Sequence, residues 1–128
     1  MRIEGQPTLY DHVGGMPFFE RLVGAFYREV AADPVLLALY PDQQDLGPAR
    51  ERLTLFLAQY WGGPATYSEG RGHPRLRMRH APFVIGDPER DHWLAAMRVA
   101  VAEVAPPAGA AQALDDYFVM AADAMRNA

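Results

Sequence analysis

The apolar residues of this chain recur at intervals of three and four positions, and no stretch alternates between apolar and polar residues as a strand does. The clearest case runs from Met16 to Ala32, with Pro17 suited to a first helical turn. Because a helix turns once in about 3.6 residues, this spacing puts the apolar side chains on one face. They are Phe19, Leu22, Val23, Phe26 and Val30. The pattern predicts an all-α protein.

Proline, glycine and aspartate indicate where the next helices begin and end. Asp33-Pro34 predicts a cap and first turn for a short helix that ends near Tyr40. Pro48 begins a longer helix, and Gly62-Gly63-Pro64 stops it, since flexible cap residues are followed there by proline. We expect the buried face of the longer helix to consist of Leu53, Phe56, Leu57 and Tyr60.

Two further long helices are predicted in the second half of the chain. Asp87-Pro88 repeats the cap-and-proline start, and Pro106-Pro107 separates the two helices. Their apolar faces consist of Trp93, Met97, Ala100, Val101 and Val104 in the first, and Leu114, Tyr117, Phe118, Ala121 and Met125 in the second. No internal repeat is present. We therefore expect one domain over residues 1–128, in which residues 1–8 form a loose N-terminal extension.

Residues 65–81, between the first and second pairs of long helices, lack a long apolar period. Residues 65–74 show no helical period and predict a loop of about ten residues, which is long enough to suggest a function. A short segment from Arg75 to Ala81 follows and could form one or two helical turns before Pro82. This segment contains His80.

Composition excludes several classes of protein. A net charge of −4 without a large basic patch argues against nucleic-acid binding. No apolar run approaches the roughly 18 residues of a membrane span, and the N-terminus lacks a signal core, so we expect a cytoplasmic protein. The absence of cysteine excludes iron–sulfur sites and thiolate-ligated haem. A metal must therefore use other ligands, and the four histidines are His12, His73, His80 and His92.

The residues around His80 suit a haem group, although a single histidine is far more often a surface or structural residue. Haem needs an apolar slot, an imidazole for its iron, and arginines near its anionic propionates. The stretch from Arg75 to Phe83 offers all three. Aromatic residues with polar tips also lie on the apolar faces, and buried tyrosine and tryptophan need hydrogen-bond partners. They are Tyr27, Tyr40, Tyr60, Trp61, Trp93 and Tyr117.

A series of motifs resembles the group II truncated haemoglobins of bacteria, in order from about residue 9 to the last helix. The most specific are Tyr60-Trp61-Gly62-Gly63-Pro64, Thr66-Tyr67-Ser68-Glu69 and the run from Arg71 to Phe83 that includes His73-Pro74 and His80-Ala81-Pro82. The others are Tyr10-Asp11-His12-Val13-Gly14-Gly15, Phe26-Tyr27, Tyr40-Pro41 and Glu89-Arg90-Asp91-His92-Trp93-Leu94. The resemblance implies a shortened globin fold, with two helices stacked on two around haem b, and His80 as the proximal iron ligand.

The resemblance also implies roles for five further residues. Tyr27, Tyr40 and Trp93 match the family's distal hydrogen-bond donors. Leu53 matches an apolar residue over the iron, and Ala49 the position where many globins place a distal histidine. The connection from Tyr40 to Leu53 looks one residue longer than in the family, which weakens the match at Ala49. Around the macrocycle we expect propionate contacts from Arg79 and Tyr67 and apolar contacts from Met78 and Phe83.

These expectations define a function and its alternatives. The leading hypothesis is a haem protein that reversibly binds oxygen, carbon monoxide or nitric oxide. A peroxidase-like or nitric-oxide-detoxifying enzyme is the alternative, and its electrons would come from an unidentified reductase because no flavin or nicotinamide motif is present. A haem-free helical interaction module is a third hypothesis, against which the presence of His80 argues. The oligomeric state stays open, with a homodimer as one candidate.

Overall fold

The helices of this protein are seen in a computed structural model that describes residues 8–72, 75, 80 and 83–128. No strand is found within these ranges, so the all-α prediction is confirmed for them. None of the helices found there is long and apolar enough to cross a membrane. Their bounds are α1 Leu9–His12, α2 Met16–Ala32, α3 Pro34–Leu37, α4 Gly47–Tyr60, α5 Thr66–Arg71, α6 Asp87–Val104 and α7 Ala108–Met125.

Helix α2 is the centre of the packing. It contacts α3, α4 and α6, and α6 in turn contacts α7. Its buried side includes Phe19, Leu22, Val23 and Phe26, none of which has measurable exposure. The apolar spacing in the sequence thus predicted both the bounds of α2 and the face that it buries.

Helix α3 is shorter than predicted. The Asp33 carboxylate caps it by accepting the backbone N–H groups of Val35 at 2.9 Å and Leu36 at 3.4 Å. The helix ends at Leu37 and not near Tyr40. Beyond it, the N–H of Tyr40 donates to the carbonyl of Leu37 at 3.1 Å, so a tight turn connects the end of the helix to Tyr40.

Two expectations around the end of α4 are wrong. Tyr60 is 49% exposed and not part of the buried face. Residues 66–71, predicted as loop, form helix α5. Its first turn is tied to α4, because Gln59 donates to the Ser68 hydroxyl at 2.7 Å and accepts the Ser68 N–H at 2.9 Å. Tyr67 packs against Phe56, with ring centroids 5.5 Å apart. These contacts stabilise a helix that has no apolar period of its own.

The start of α6 also differs slightly from the prediction. Gly86 is the cap residue and Asp87 the first residue of the helix, whereas Asp87 was expected as the cap. The Glu89 carboxylate accepts the Gly86 N–H at 2.8 Å, which secures this end of the helix. Helix α6 ends at Val104, and its cap residue Ala105 has a left-handed backbone. Pro106 and Pro107 follow it, as the sequence predicts for the end of this helix.

Helix α1 packs against the end of α4 at two adjacent glycines, Gly62 and Gly63. Thr8 caps α1, and the N–H of Tyr10 donates to the carbonyl of Trp61 at 3.0 Å. Gly62 has a φ of +104°, and a Cβ atom there would lie 2.5 Å from the Cβ of Thr8. Only glycine therefore fits at position 62. Of the predicted loose extension, Thr8 alone lies within the described residues.

We expect Gly62→Ala to lower the free energy of unfolding by about 2–4 kcal/mol, because strain at positive φ adds to a clash with Thr8. Gly70→Ala is the matched control. Gly70 lies inside α5, and a Cβ there meets nothing within 4 Å. It should raise stability by roughly 0.5–1 kcal/mol through helix propensity. Urea unfolding of both variants checks this, and equal effects of the two substitutions would contradict the role given to Gly62.

Candidate functional site

A cavity of about 490 Å³ lies among the four long helices. Its wall includes residues of every helix from α2 to α7, together with His80, Phe83 and Ile85. The volume is within the range of small-molecule and cofactor sites in proteins. Most of the lining side chains are aliphatic or aromatic, so the cavity suits a large apolar ligand.

The cavity brings together the site residues predicted from the sequence wherever they are described. Met78 and Arg79 lie outside the described residues. The other eight all line the cavity; they are Tyr27, Tyr40, Ala49, Leu53, Tyr67, His80, Phe83 and Trp93. They come from α2, α4, α5 and α6 and from the segments after α3 and before α6, so the fold, not proximity in sequence, assembles them.

Tyr27 and Tyr40 form a hydroxyl pair in the cavity wall. Their oxygens lie 3.2 Å apart, with Tyr40 donating to Tyr27. Their rings meet edge to face at a centroid distance of 5.7 Å. Burial raises the pKa of both phenols, and the nearby charge of Arg52 opposes this effect only in part. Both side chains are therefore neutral O–H donors at any ordinary pH.

Trp93 is held in the wall by aromatic contacts on two sides. Its ring lies 5.6 Å from that of Phe26 on α2 and 5.7 Å from that of Phe118 on α7, both in edge-on geometry. Such contacts fix the orientation of the indole. The indole N–H can only donate a hydrogen bond. Trp93 thus adds a third oriented donor to the lining.

Among the described histidines, only His80 lines the cavity. Its side chain is partly buried, and its ring centroid lies 6.4 Å from that of Phe83. His12 is exposed. His92 faces away from the cavity, with Nδ1 2.7 Å from the carboxylate of Asp33. His73 lies outside the described residues.

Arginines in the lining were missed by the sequence analysis. Arg52, Arg71 and Arg90 all reach the cavity. The Arg71 guanidinium lies 6.0 Å from the centroid of the Tyr67 ring. Guanidinium groups at the edge of an apolar cavity suit an anionic substituent on the ligand. For Arg52 and Arg90, a spacing of three residues from Ala49 and from Trp93 was the available indication, but an arginine on a helix ordinarily signals a solvated face.

The donor set fits a haem better than a metal held by protein ligands alone. In the described part of the chain, no three His, Cys, Asp or Glu side chains come close enough to enclose a metal ion. A lone imidazole beside an apolar cavity instead suits a metal whose other ligands belong to a macrocycle. The arginines suit its propionates, and the tyrosine and tryptophan donors suit a small polar ligand.

Comparison with known proteins places the chain in a family. The model of the family described as bacterial-like globin matches residues 8–127. The chain therefore belongs to the bacterial-like globins. Membership implies a haem cofactor and the binding of diatomic gases.

Individual relatives place it more narrowly. The group 2 truncated hemoglobin YjbI of Bacillus subtilis is 41% identical over 90 residues, which are 70% of this chain and 67% of that protein. A thermostable hemoglobin from Thermobifida fusca is 61% identical with a TM-score of 0.92, over 94% of this chain and 98% of that one. A truncated oxygen-avid haemoglobin from Bacillus subtilis is 35% identical with a TM-score of 0.88, over 94% and 100%. The predicted group II truncated haemoglobin and its two-on-two fold are confirmed.

The buried hydroxyl of Tyr27 leads to a prediction about alkaline stability. The phenol ionises near pH 10 in the unfolded chain, but its pKa is raised above that in the folded protein. Its contribution to stability is thus complete below pH 10 and is lost as the pH rises toward the folded pKa. The expected loss is about 1.4 kcal/mol per pH unit above pH 10.

We expect Tyr27→Phe to remove the part of the loss in unfolding free energy above pH 10 that is due to this hydroxyl. Urea unfolding from pH 8 to 12 at constant haem content measures it. Phe26→Leu is the control, since it perturbs the neighbouring buried ring without changing a titrating group. It should lower stability by the same amount at every pH. An unchanged slope in Tyr27→Phe would mean that this hydroxyl is not held neutral by the fold.

Proposed function

We propose that this chain is a haem b protein that reversibly binds oxygen and other diatomic ligands, with His80 as the iron ligand. The observation that carries the proposal is the lining of a single cavity. It combines one histidine, two hydrogen-bonded tyrosines and an edge-packed tryptophan within apolar walls. Membership in the globin family supports the same assignment.

Each part of the cavity has a task in this proposal. Haem would supply an iron able to bind a diatomic ligand, on which partial negative charge would develop. His80 would hold the iron through its imidazole. Tyr67 and Arg71 would contact the propionates, as would Arg79, and Met78 would pack against the macrocycle. Phe83 and Leu53 would pack against the macrocycle.

The distal side is built to donate hydrogen bonds. Because the hydroxyl of Tyr40 donates to that of Tyr27, the proton of Tyr27 stays free for the ligand. Trp93 supplies a second donor. One such bond in a dry site contributes roughly 1–3 kcal/mol, or about 5- to 150-fold in dissociation rate. The related Bacillus subtilis protein is described as oxygen-avid, which supports slow oxygen release here.

Ala49 and Leu53 set access to this side. Both are partly buried residues of α4 that line the cavity, and neither side chain carries a donor. A methyl group at position 49 leaves room for a small ligand to enter. Leu53 excludes water from the ligand, so the hydrogen bonds of Tyr27 and Trp93 act at low dielectric.

Peroxidase-like or nitric-oxide-detoxifying turnover is a second candidate. The cavity lining adds the guanidinium of Arg52 to the tyrosine and tryptophan donors. These groups together would also polarise the O–O bond of a peroxide. Sustained turnover with peroxide or nitric oxide and a reductant would favour this candidate over a simple oxygen binder.

The visible spectrum of the purified protein tests the role of His80. We expect a strong Soret band that is lost or shifted in His80→Ala, because the iron loses its imidazole. His92→Ala is the control, since His92 contacts Asp33 outside the cavity, and it should keep the band. An unchanged spectrum in His80→Ala would refute this ligand, and a colourless protein that stays so after haem addition would favour the haem-free module.

Oxygen dissociation tests the distal donors. We expect Trp93→Leu to speed release by about 5- to 150-fold, the effect of one lost hydrogen bond. Tyr40→Phe should also speed release, because it removes the hydrogen bond that holds and polarises the Tyr27 hydroxyl. Tyr60→Phe is the matched control, because this half-exposed tyrosine does not line the cavity. Stopped-flow measurement checks the rates. If both cavity variants release oxygen as the control does, the donors do not hold the ligand.

A further inference from the structure

The backbone that follows His80 is tied to one residue beyond the end of α7. The side-chain amide of Asn127 donates from Nδ2 to the carbonyl of Phe83 at 2.8 Å. Its Oδ1 accepts the N–H of Ile85 at 2.8 Å. The same Nδ2 lies 3.5 Å from the carbonyl of His80 itself. A single asparagine thus contacts both the histidine and the two residues that line the cavity after it.

Backbone hydrogen bonds complete this attachment. The N–H groups of Asn127 and Ala128 both donate to the carbonyl of Ile85, at 2.8 and 3.2 Å. The N–H of Phe83 donates to the carbonyl of His80 at 3.0 Å. The path from Asn127 to the backbone of His80 is therefore a continuous set of hydrogen bonds.

The residues that precede Asn127 are attached to α6 and α7, which form part of the cavity wall. Arg126, next to Asn127, pairs with Asp87 at the start of α6 at 2.8 Å and with Asp123 of α7 at 3.4 Å. Met125, the last residue of α7, lines the cavity. The tail, residues 126–128, is thus attached to α6 and α7, which form one side of the site.

The chemistry of the side chain explains why an amide is needed at position 127. One end must donate to a carbonyl and the other must accept an N–H, which is the pattern that an asparagine side chain offers. Ile85 is 8% exposed. Without Oδ1, its N–H would be left without that acceptor in a region with little access to water.

We propose that Asn127 is a positioning residue for His80: it fixes the backbone that carries the imidazole and so sets the direction from which the ring meets the iron. The inference rests on the proposed function, in which His80 is the iron ligand. It goes beyond that function because Asn127 is not among the residues that line the cavity and, within the described part of the chain, contacts the site through Phe83, Ile85 and the carbonyl of His80.

Two variants and a control test the proposal on the haem-loaded protein. Asn127→Ala removes both side-chain hydrogen bonds. Asn127→Asp keeps the shape and an acceptor for Ile85 but cannot donate to Phe83 when ionised. Arg126→Gln is the control, because it changes the net charge by the same −1 as Asn127→Asp and breaks the ion pairs of the neighbouring residue with Asp87 and Asp123, which belong to α6 and α7.

Three measurements are made on each variant. They are the rate of haem transfer to excess apomyoglobin, the iron–histidine stretching band in the resonance Raman spectrum of the ferrous protein, and the thermal unfolding midpoint. We expect Asn127→Ala to speed haem loss about 5- to 30-fold, the effect of one or two lost hydrogen bonds. Its stretching band should broaden and shift, because the imidazole samples several orientations. Asn127→Asp should give the same spectral change.

The control separates positioning from general stability. Arg126→Gln should lower the unfolding midpoint but keep the stretching band and stay within about twofold of the original haem-loss rate. If the Asn127 variants keep the band and lose haem no faster than Arg126→Gln, the positioning role is overturned. A failure of the proposed function looks different: His80→Ala would then retain the band, whatever the Asn127 variants do.

Discussion

This chain of 128 residues builds its fold around a cavity of about 490 Å³, so the contacts between its helices carry much of the stability of a small domain. The core therefore depends on an element that connects several helices. Helix α2 supplies this connection by burying one face against α4 and α6 together.

The side chains that would bind the ligand are also the ones that hold this wall in place. Trp93 bridges Phe26 and Phe118, and Tyr27 packs edge-on against Phe26 at 5.1 Å. A buried phenol needs a partner, and the pairing of Tyr27 with Tyr40 meets that need for two hydroxyls at once. The donors are thus oriented by the packing before any ligand arrives, which is what makes electrostatic stabilisation of a ligand effective.

Sequence reasoning succeeded where structure follows from local periodicity, and failed where it follows from contacts between elements. The face of α2 was predicted from its apolar spacing, and the eight described residues expected at the site line one cavity. Helix α5 was missed because the contacts of Ser68 with Gln59, and not an apolar period, hold it. Arg52 was missed because an arginine that borders a cavity has the same sequence pattern as one that faces water.

The attachment at Asn127 shows why the site and the fold cannot be separated in energetic terms. Residues 47 positions apart in the chain meet there, so the position of the His80 backbone depends on the folding of the whole domain. A ligand bound by such a site stabilises the fold in proportion to the logarithm of its concentration over its dissociation constant. A ligand bound in the cavity would also pack against the side chains that line it. The contacts that position His80 therefore contribute both to cofactor affinity and to the stability of the fold. A spectrum that depends on bound haem distinguishes these two effects, because a change in stability alone does not alter it.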